Sequence, residues 1–223
     1  MTTPRSTRLL SGCAALLCAA AASAQGSQSY SDATNDLFDN GFGNLDITGV
    51  TVSNTATHLN IAVTTREFQN WTKYLIFLNT AAGGTGSNGW GRPVDLSGSQ
   101  IDYYIGSWVD APSSNAQFWG YSNSAWNLDS TFSNSVSGNT VTWSVSLAAL
   151  GLSIGSTFTF DVATSGGGND PGVDHLSRMD PATPGWGTAS VAGTFLSYTV
   201  IPAPGAMALL AAAGLLGGSR RRR

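Results

Sequence analysis

The sequence predicts one antiparallel β-sandwich of about 8–10 strands, of the jelly-roll or immunoglobulin-like kind, over residues 25–201. Three observations predict it. Apolar residues recur with a period of two in several short segments, which is the spacing of strands with one buried face. Turns rich in Gly, Ser and Asn separate these segments. Glu and Lys, which favour helices, occur once each, and we find no internal repeat or second domain.

The strands can be assigned in chain order. Leu59, Ile61 and Val63 alternate with less apolar neighbours, whereas residues 74–78 form a continuous apolar run, as in a central strand covered on both faces. The period of two returns at residues 101–108, 141–145, 158–162 and 196–200. Turns are predicted at residues 53–57, 122–124 and 137–139. Residues 147–150 fit a single helical turn that ends at Gly151.

The N-terminus has the pattern of a secretory signal peptide, residues 1–24. Arg5 and Arg8 precede an apolar segment, residues 9–22, and Ala24 ends a small-residue cleavage site before Gln25. A lipoprotein signal ending at Cys13 is an alternative, but it would leave almost no apolar segment before that cysteine. Cleavage after Ala24 removes both cysteines of the chain, so the exported protein would have no disulfide and no thiol.

The C-terminus, residues 202–223, has the pattern of a membrane-engaging sorting tail. Residues 205–218 carry no charge but are fewer than the roughly 20 residues that a stable membrane span needs. A core helix would instead show polar residues every third or fourth position. Four arginines end the chain and are expected to stay cytoplasmic: Arg220, Arg221, Arg222 and Arg223.

This tail resembles the PEP-CTERM sorting signal of bacterial surface proteins. Pro202, Ala203 and Pro204 stand where that family has Pro-Glu-Pro, so the central Glu is replaced. The resemblance implies an exosortase-type processing enzyme as partner, removal or exchange of the tail at the membrane, and a final location at the cell surface or outside the cell.

The charge of the exported part excludes some partners. Residues 25–201 contain all 13 acidic residues of the chain but only four basic ones, Arg66, Lys73, Arg92 and Arg178, so the net charge there is −9. An acidic chain of this kind lacks a basic surface for phosphates, which argues against nucleic acid as a partner.

The body of the chain also resembles a group of families. Residues 43–63 read GNLDITGVTVSNTATHLNIAV, and residues 147–162 read LAALGLSIGSTFTFDV. This order is similar to that of family 9 carbohydrate-binding modules, DOMON domains and the glucodextranase C-terminal module. The resemblance implies a non-catalytic extracellular module that often binds sugar, and it transfers no individual ligand residue to this chain.

Two tryptophans are flanked by glycines, as expected of aromatic platforms for sugar rings. Trp90 and Trp186 occur in Gly-Trp-Gly segments and have little local core to enter. Arg92 and Asp95 follow Trp90 and are candidate partners for sugar hydroxyls. The alternative for both tryptophans is a lid folded over the edge of the sandwich.

A second aromatic strip is predicted around the turn at residues 122–124. It comprises Trp119, Tyr121 and Trp126. Trp143 alternates with valines and is predicted to be in the core, whereas Trp71 precedes the central strand and fits either environment.

Aspartates crowd two segments, and calcium is the candidate ligand. The first group is Asp32, Asp36, Asp39 and Asp46, and the second is Asp170, Asp174 and Asp180. Calcium binds six to eight oxygens from flexible loops, although the spacing here is not that of an EF-hand. The alternative is that these are ordinary solvated acidic loops. Two histidines and no exported cysteine argue against a transition metal, and no other cofactor is expected.

Catalysis is not predicted. Asp174, His175 and Ser177 include the residue types of a triad but are sequence neighbours in a loop without a nucleophile-elbow signature. We expect both His175 and His58 to be ordinary surface or loop residues. The sequence therefore predicts an exported, surface-sorted, non-catalytic protein that binds polysaccharide. A purely structural envelope or matrix protein is the alternative, and a hydrolase is the third hypothesis.

Overall fold

The computed structural model describes residues 26–111 and 113–202. The predicted signal peptide and the tail from residue 203 onward lie outside the described residues. The described part is all-β and contains no α-helix. Accordingly, none of these residues forms a helix with the length and apolar character needed to cross a membrane.

Residues 26–111 and 113–202 contain fourteen strands, and ten of them have four or more residues. They are β1 (Gly26–Ser31), β2 (Ile47–Asn54), β3 (His58–Thr65), β4 (Lys73–Asn79), β5 (Val94–Asp95), β6 (Tyr103–Trp108), β7 (Ala116–Ser122), β8 (Ala125–Phe132), β9 (Ser135–Ser137), β10 (Thr140–Ser146), β11 (Thr157–Ser165), β12 (Asp174–His175), β13 (Ser190–Val191) and β14 (Leu196–Thr199).

The strands form two main antiparallel sheets, an arrangement consistent with a β-sandwich. The five-stranded sheet has the order β1-β2-β3-β10-β9. The seven-stranded sheet has the order β12-β11-β4-β6-β7-β8, and β14 also pairs with β11. Among the strands that the structure describes, only the short β5–β13 pair, outside both sheets, is parallel.

The main core lies between the two sheets and confirms the predicted alternation. Leu59, Ile61 and Val63 of β3 are buried there, together with Trp143 of β10, which is 1% exposed. Strand β4 is buried on both faces, as its continuous apolar run predicts: Tyr74, Ile76 and Leu78 enter the main core, and Leu75 and Phe77 face the other side.

A second apolar cluster covers the outer face of the seven-stranded sheet. Leu75 and Phe77 meet Val94, Leu96 and Ile101 from the long connection between β4 and β6. Loops therefore form an outer layer on this sheet, and this layer positions the residues discussed below.

The predicted turns are also present. Asn123 and Ser124 join β7 to β8 with φ angles of 52° and 61°, which suit a two-residue hairpin. Residues 147–150 form a hydrogen-bonded turn rather than a helix, and Gly151 follows it with φ 65°.

Candidate functional site

Half-buried aromatic rings gather on the outer face of strands β6, β7 and β8. Alternation along β7 places Trp119 and Tyr121 outward, whereas Phe118 points into the core. In the β7–β8 pair, Tyr121 is directly opposite Trp126, and the two rings are 5.3 Å apart. The predicted second strip is therefore brought together, and we call Trp108, Trp119, Tyr121 and Trp126, with Trp90, the aromatic face.

Three of the four indole nitrogens of the aromatic face donate hydrogen bonds to polar side chains. Trp90 Nε1 and Trp119 Nε1 both donate to Gln117 Oε1, at 2.7 and 3.2 Å, and Trp126 Nε1 donates to Ser87 Oγ at 3.1 Å. Two indole donors fix which end of the Gln117 amide is the oxygen. Its Nε2 has no partner among the described residues and is not buried, so it offers a free donor at this face.

Trp90 lies flat against the backbone of β6. Gly106 has no room for a Cβ because the Trp90 indole occupies that space. The Trp90 ring stacks near Trp108, with centroids 6.2 Å apart, and the Arg92 guanidinium carbon lies 5.4 Å from the Trp90 ring centroid. These contacts fit the alternative interpretation of Trp90 as a lid on the sheet.

The two polar candidates beside Trp90 are engaged within the protein. Arg92 is 8% exposed and donates to Ser165 Oγ and to the carbonyl oxygens of residues 166, 167 and 170. Burial lowers the pKa of Arg92, and Tyr104 and Asp170 oppose that shift. Asp95 is exposed, and its Oδ1 accepts a hydrogen bond from Ser97 N at 2.8 Å. Arg92 therefore holds the loop that follows β11.

Trp186 belongs to a different part of the molecule. Its ring meets Phe38 and Phe42 edge to face, at 5.4 and 5.2 Å. Trp71 packs on the same small cluster, whose buried members are Leu37, Leu45 and Val173. The two glycine-flanked tryptophans are thus not brought together.

The two aspartate segments converge on one buried cluster. One carboxylate oxygen from each of Asp36, Asp46 and Asp174 lies within 4.8 Å of the other two. The exposed fractions of these residues are 9%, 0% and 3%. We call these three residues the acidic cluster, and Asp32 lies close enough for its charge to affect that of Asp174.

The other predicted calcium ligands lie elsewhere. Asp39 is exposed and accepts a hydrogen bond from Gly41 N. Asp170 packs against Gly166, and Asp180 pairs with Arg178 at the surface.

Several oxygens in and beside the acidic cluster have no hydrogen-bond partner within the described residues. Both carboxylate oxygens of Asp36 are buried and unpartnered, as are Asp46 Oδ1 and Asp32 Oδ2. Asp46 Oδ2, in contrast, accepts from Arg66 Nε at 2.8 Å and from Asn35 N at 3.0 Å.

Asp174 is held by backbone groups. Its Oδ2 accepts from Ile47 N at 2.6 Å, and its Oδ1 accepts from His175 N at 2.8 Å. These bonds tie β12 to the start of β2.

Burial and the crowding of negative charge raise the pKa values of Asp32, Asp36 and Asp174. Burial, and next the charge of Asp36, raises the pKa of Asp32 to about 8. Burial, and next the charge of Asp32, raises the pKa of Asp174 well above its usual value, and burial also raises that of Asp36. The cluster therefore resists carrying its full negative charge without a positive partner.

The structure overturns the expectation that His175 is a surface or loop residue. His175 is 0% exposed because β12 pairs with β11, which places it opposite Ala163. Its Nδ1 lies 2.7 Å from Asp161 Oδ2, and its Nε2 lies 3.0 Å from Ser190 Oγ. Asp161 and Ser190 are likewise 0% exposed. His58 is exposed, as predicted.

Asp161, His175 and Ser190 are hydrogen-bonded in the order of a catalytic triad, but all three residues are buried. The hydroxyl that would act as nucleophile is buried, and Gly172 packs so closely on His175 Nε2 and Ser190 Oγ that it has no room for a Cβ. Ser177, the serine singled out from the sequence, donates its backbone N–H to Asp161 Oδ1 instead.

A scan of the chain against protein-family models finds no match, and a search of curated proteins finds none either.

Proposed function

We propose that the protein is an exported, surface-sorted, non-catalytic β-sandwich that binds polysaccharide through the aromatic face. The observation that carries this proposal is the gathering of half-exposed rings on one sheet face, with Tyr121 opposite Trp126 and with Trp119 two residues away on the same face of β7. Sugar rings present apolar C–H faces that stack on aromatic rings. Gln117 Nε2, which has no partner among the described residues, offers a hydrogen-bond donor for a sugar hydroxyl beside them.

The charge of the protein narrows the class of polysaccharide. With a net charge of −9 over residues 25–201, the surface repels anionic polymers. We therefore infer that the ligand is a polysaccharide without negative charge, such as a neutral one.

We infer that the two sheets form a sandwich of the jelly-roll or immunoglobulin-like kind. The apolar core between two antiparallel sheets supports it, as does the pairing of β3 with β10, which are far apart in sequence. The absence of catalysis in the proposal is supported by the buried position of Ser190, the hydroxyl of the triad-like arrangement.

Export and sorting rest on the sequence of the two ends. We expect the mature protein to begin at Gln25 and to lack the four C-terminal arginines. Intact mass of the protein recovered from the cell surface or medium tests this expectation. A mature species that retains Arg223 would contradict removal of the tail.

The binding proposal is tested by truncating the aromatic face. Trp119→Ala and Trp126→Ala should each weaken retention on the neutral polysaccharide found by a glycan array by several-fold or more. The reason is that each ring contributes on the order of 1 kcal/mol by stacking beyond its area burial. Affinity electrophoresis of the exported form, residues 25–201, in gels containing that polysaccharide measures the change.

Two further variants separate a loss of polysaccharide binding from a loss of stability. Val136→Ala removes an exposed apolar side chain from β9 of the other sheet and should leave retention unchanged. Trp90→Ala should lower stability by about 3–5 kcal/mol because it uncovers the backbone of β6. If the wild type is retained by no polysaccharide, the structural alternative replaces this proposal.

A further inference from the structure

The acidic cluster is the place in the described structure where buried charge most lacks partners. Asp46 is wholly buried, yet its Oδ1 has no hydrogen-bond partner, and Asp36 has none on either oxygen. A buried carboxylate without a partner costs several kcal/mol, so such groups normally have a hydrogen-bond donor or a cation beside them. The unpartnered oxygens are therefore available to bind a cation.

The charges of the three aspartates and Arg66 favour a divalent ion. The three carboxylates carry three negative charges when ionised, and Arg66 supplies a single positive charge through its bond to Asp46. A divalent cation would neutralise the remainder. A monovalent ion or one further hydrogen bond would not.

The geometry and the donor atoms specify the chemical class. All three side chains offer carboxylate oxygen, and no nitrogen or sulfur donor belongs to the cluster. Oxygens on opposite sides of a calcium ion lie about 4.6–5.2 Å apart, because Ca–O distances are 2.3–2.6 Å. The separations of up to 4.8 Å between the three oxygens fit one such shell.

We propose that Asp36, Asp46 and Asp174 bind one calcium ion. The ion joins the segment between β1 and β2 to strand β12, two parts of the chain that are far apart in sequence. Asp32, whose buried Oδ2 also lacks a partner, adds a further oxygen beside the site. This site is independent of the aromatic face and of the proposed binding of polysaccharide.

The surroundings make the site measurable by fluorescence. Leu37, Leu45 and Val173 each adjoin one of the three aspartates in sequence and together form a small apolar cluster. Trp71 and Trp186 pack on that cluster. Terbium, which replaces calcium in oxygen sites, should therefore emit when these indoles are excited.

The decisive experiment compares two charge-matched variants of the exported form, residues 25–201. Asp36→Asn removes a proposed ligand whose two oxygens have no other partner, so the variant should fold without metal. Asp39→Asn removes the same charge from an exposed side chain three residues away. Calcium at millimolar concentration, relative to chelator, should raise the melting temperature of the wild type and of Asp39→Asn by several degrees through linkage. It should leave Asp36→Asn nearly unchanged.

The metal itself is the second measurement. Calcium should displace terbium and so reduce the indole-sensitised emission. The dissociation constant of terbium, measured from this emission, should rise at least tenfold in Asp36→Asn but not in Asp39→Asn. Magnesium should give a smaller thermal shift because it requires a tighter octahedral shell. A wild type that melts equally with calcium and chelator, or a calcium shift that survives Asp36→Asn, would overturn the proposal. A magnesium shift equal to that of calcium would overturn the assignment to calcium.

Discussion

Two buried networks that contain aspartate meet at strand β12, and they differ in whether groups of the chain itself satisfy the carboxylate oxygens. Asp161 is fully partnered: its Oδ1 accepts from Val162 N and Ser177 N, and its Oδ2 contacts the His175 ring. Asp36, in the acidic cluster, has no partner on either oxygen. Burial alone therefore does not mark a ligand site. A ligand is indicated where buried oxygens remain that no group of the chain satisfies.

The separation of the two groups follows from the geometry of a strand. Asp174 and His175 are consecutive residues of β12, and side chains alternate between the faces of a sheet. His175 faces Asp161 and stacks on Phe77 on the outer side, with ring centroids 6.1 Å apart. Asp174 bonds to Ile47 N and joins the acidic cluster. Two sequence neighbours thus serve two different networks.

The largest expected loss of stability comes from breaking the network of Asp161, His175 and Ser190, in which the aspartate is fully partnered. His175→Ala leaves Asp161 buried without its ring partner, and removing one member of a buried pair costs about 3–5 kcal/mol. Urea denaturation should show this loss with calcium and with chelator alike, because the acidic cluster keeps all its oxygens.

His58→Ala is the matched control, since His58 is exposed and its ring hydrogen-bonds, within the described residues, only to the neighbouring Thr57 hydroxyl. It should change the free energy of unfolding little. A His175→Ala loss that appears only in calcium would mean that the two groups are one coupled network, and the contrast between them would fail.

Much of the framework could be predicted from the sequence because alternation is local. The strand with Leu59, Ile61 and Val63 and the doubly covered strand β4 have the burial that their patterns predict. The same alternation along β6 places Trp108 on the same face as Tyr104 and Gly106, whereas Ile105 lies on the other face. The position of Trp108 in the aromatic face could therefore be predicted from the sequence.

The sites themselves depended on pairings that no local pattern encodes. Asp36 and Asp174 are far apart in sequence and meet only because β12 adds to the edge of β11. His175 contacts Asp161 and Ser190, which lie 14 and 15 residues away from it on other strands. The sequence could therefore nominate acidic segments but could not separate Asp36 from Asp39, which differ in burial and not in type.

The smallest effect on stability, and the sharpest test of the charge argument, comes from Arg66. Its Nε donates to Asp46 Oδ2 at 2.8 Å, and its Nη2 donates to Asn40 O at 2.5 Å. Arg66→Gln should cost about 1 kcal/mol in chelator, since it loses hydrogen bonds at a partly exposed side chain. It should also strengthen calcium binding several-fold, because the ion no longer meets a positive charge across Asp46. Calorimetric titration with calcium measures the affinity. Lys73→Gln removes the same charge from a surface pair with Asp110 and should leave that affinity unchanged. If Arg66→Gln weakens calcium binding, then Arg66 acts mainly by orienting Asp46, and the balance of three carboxylates, one guanidinium and one divalent ion is wrong.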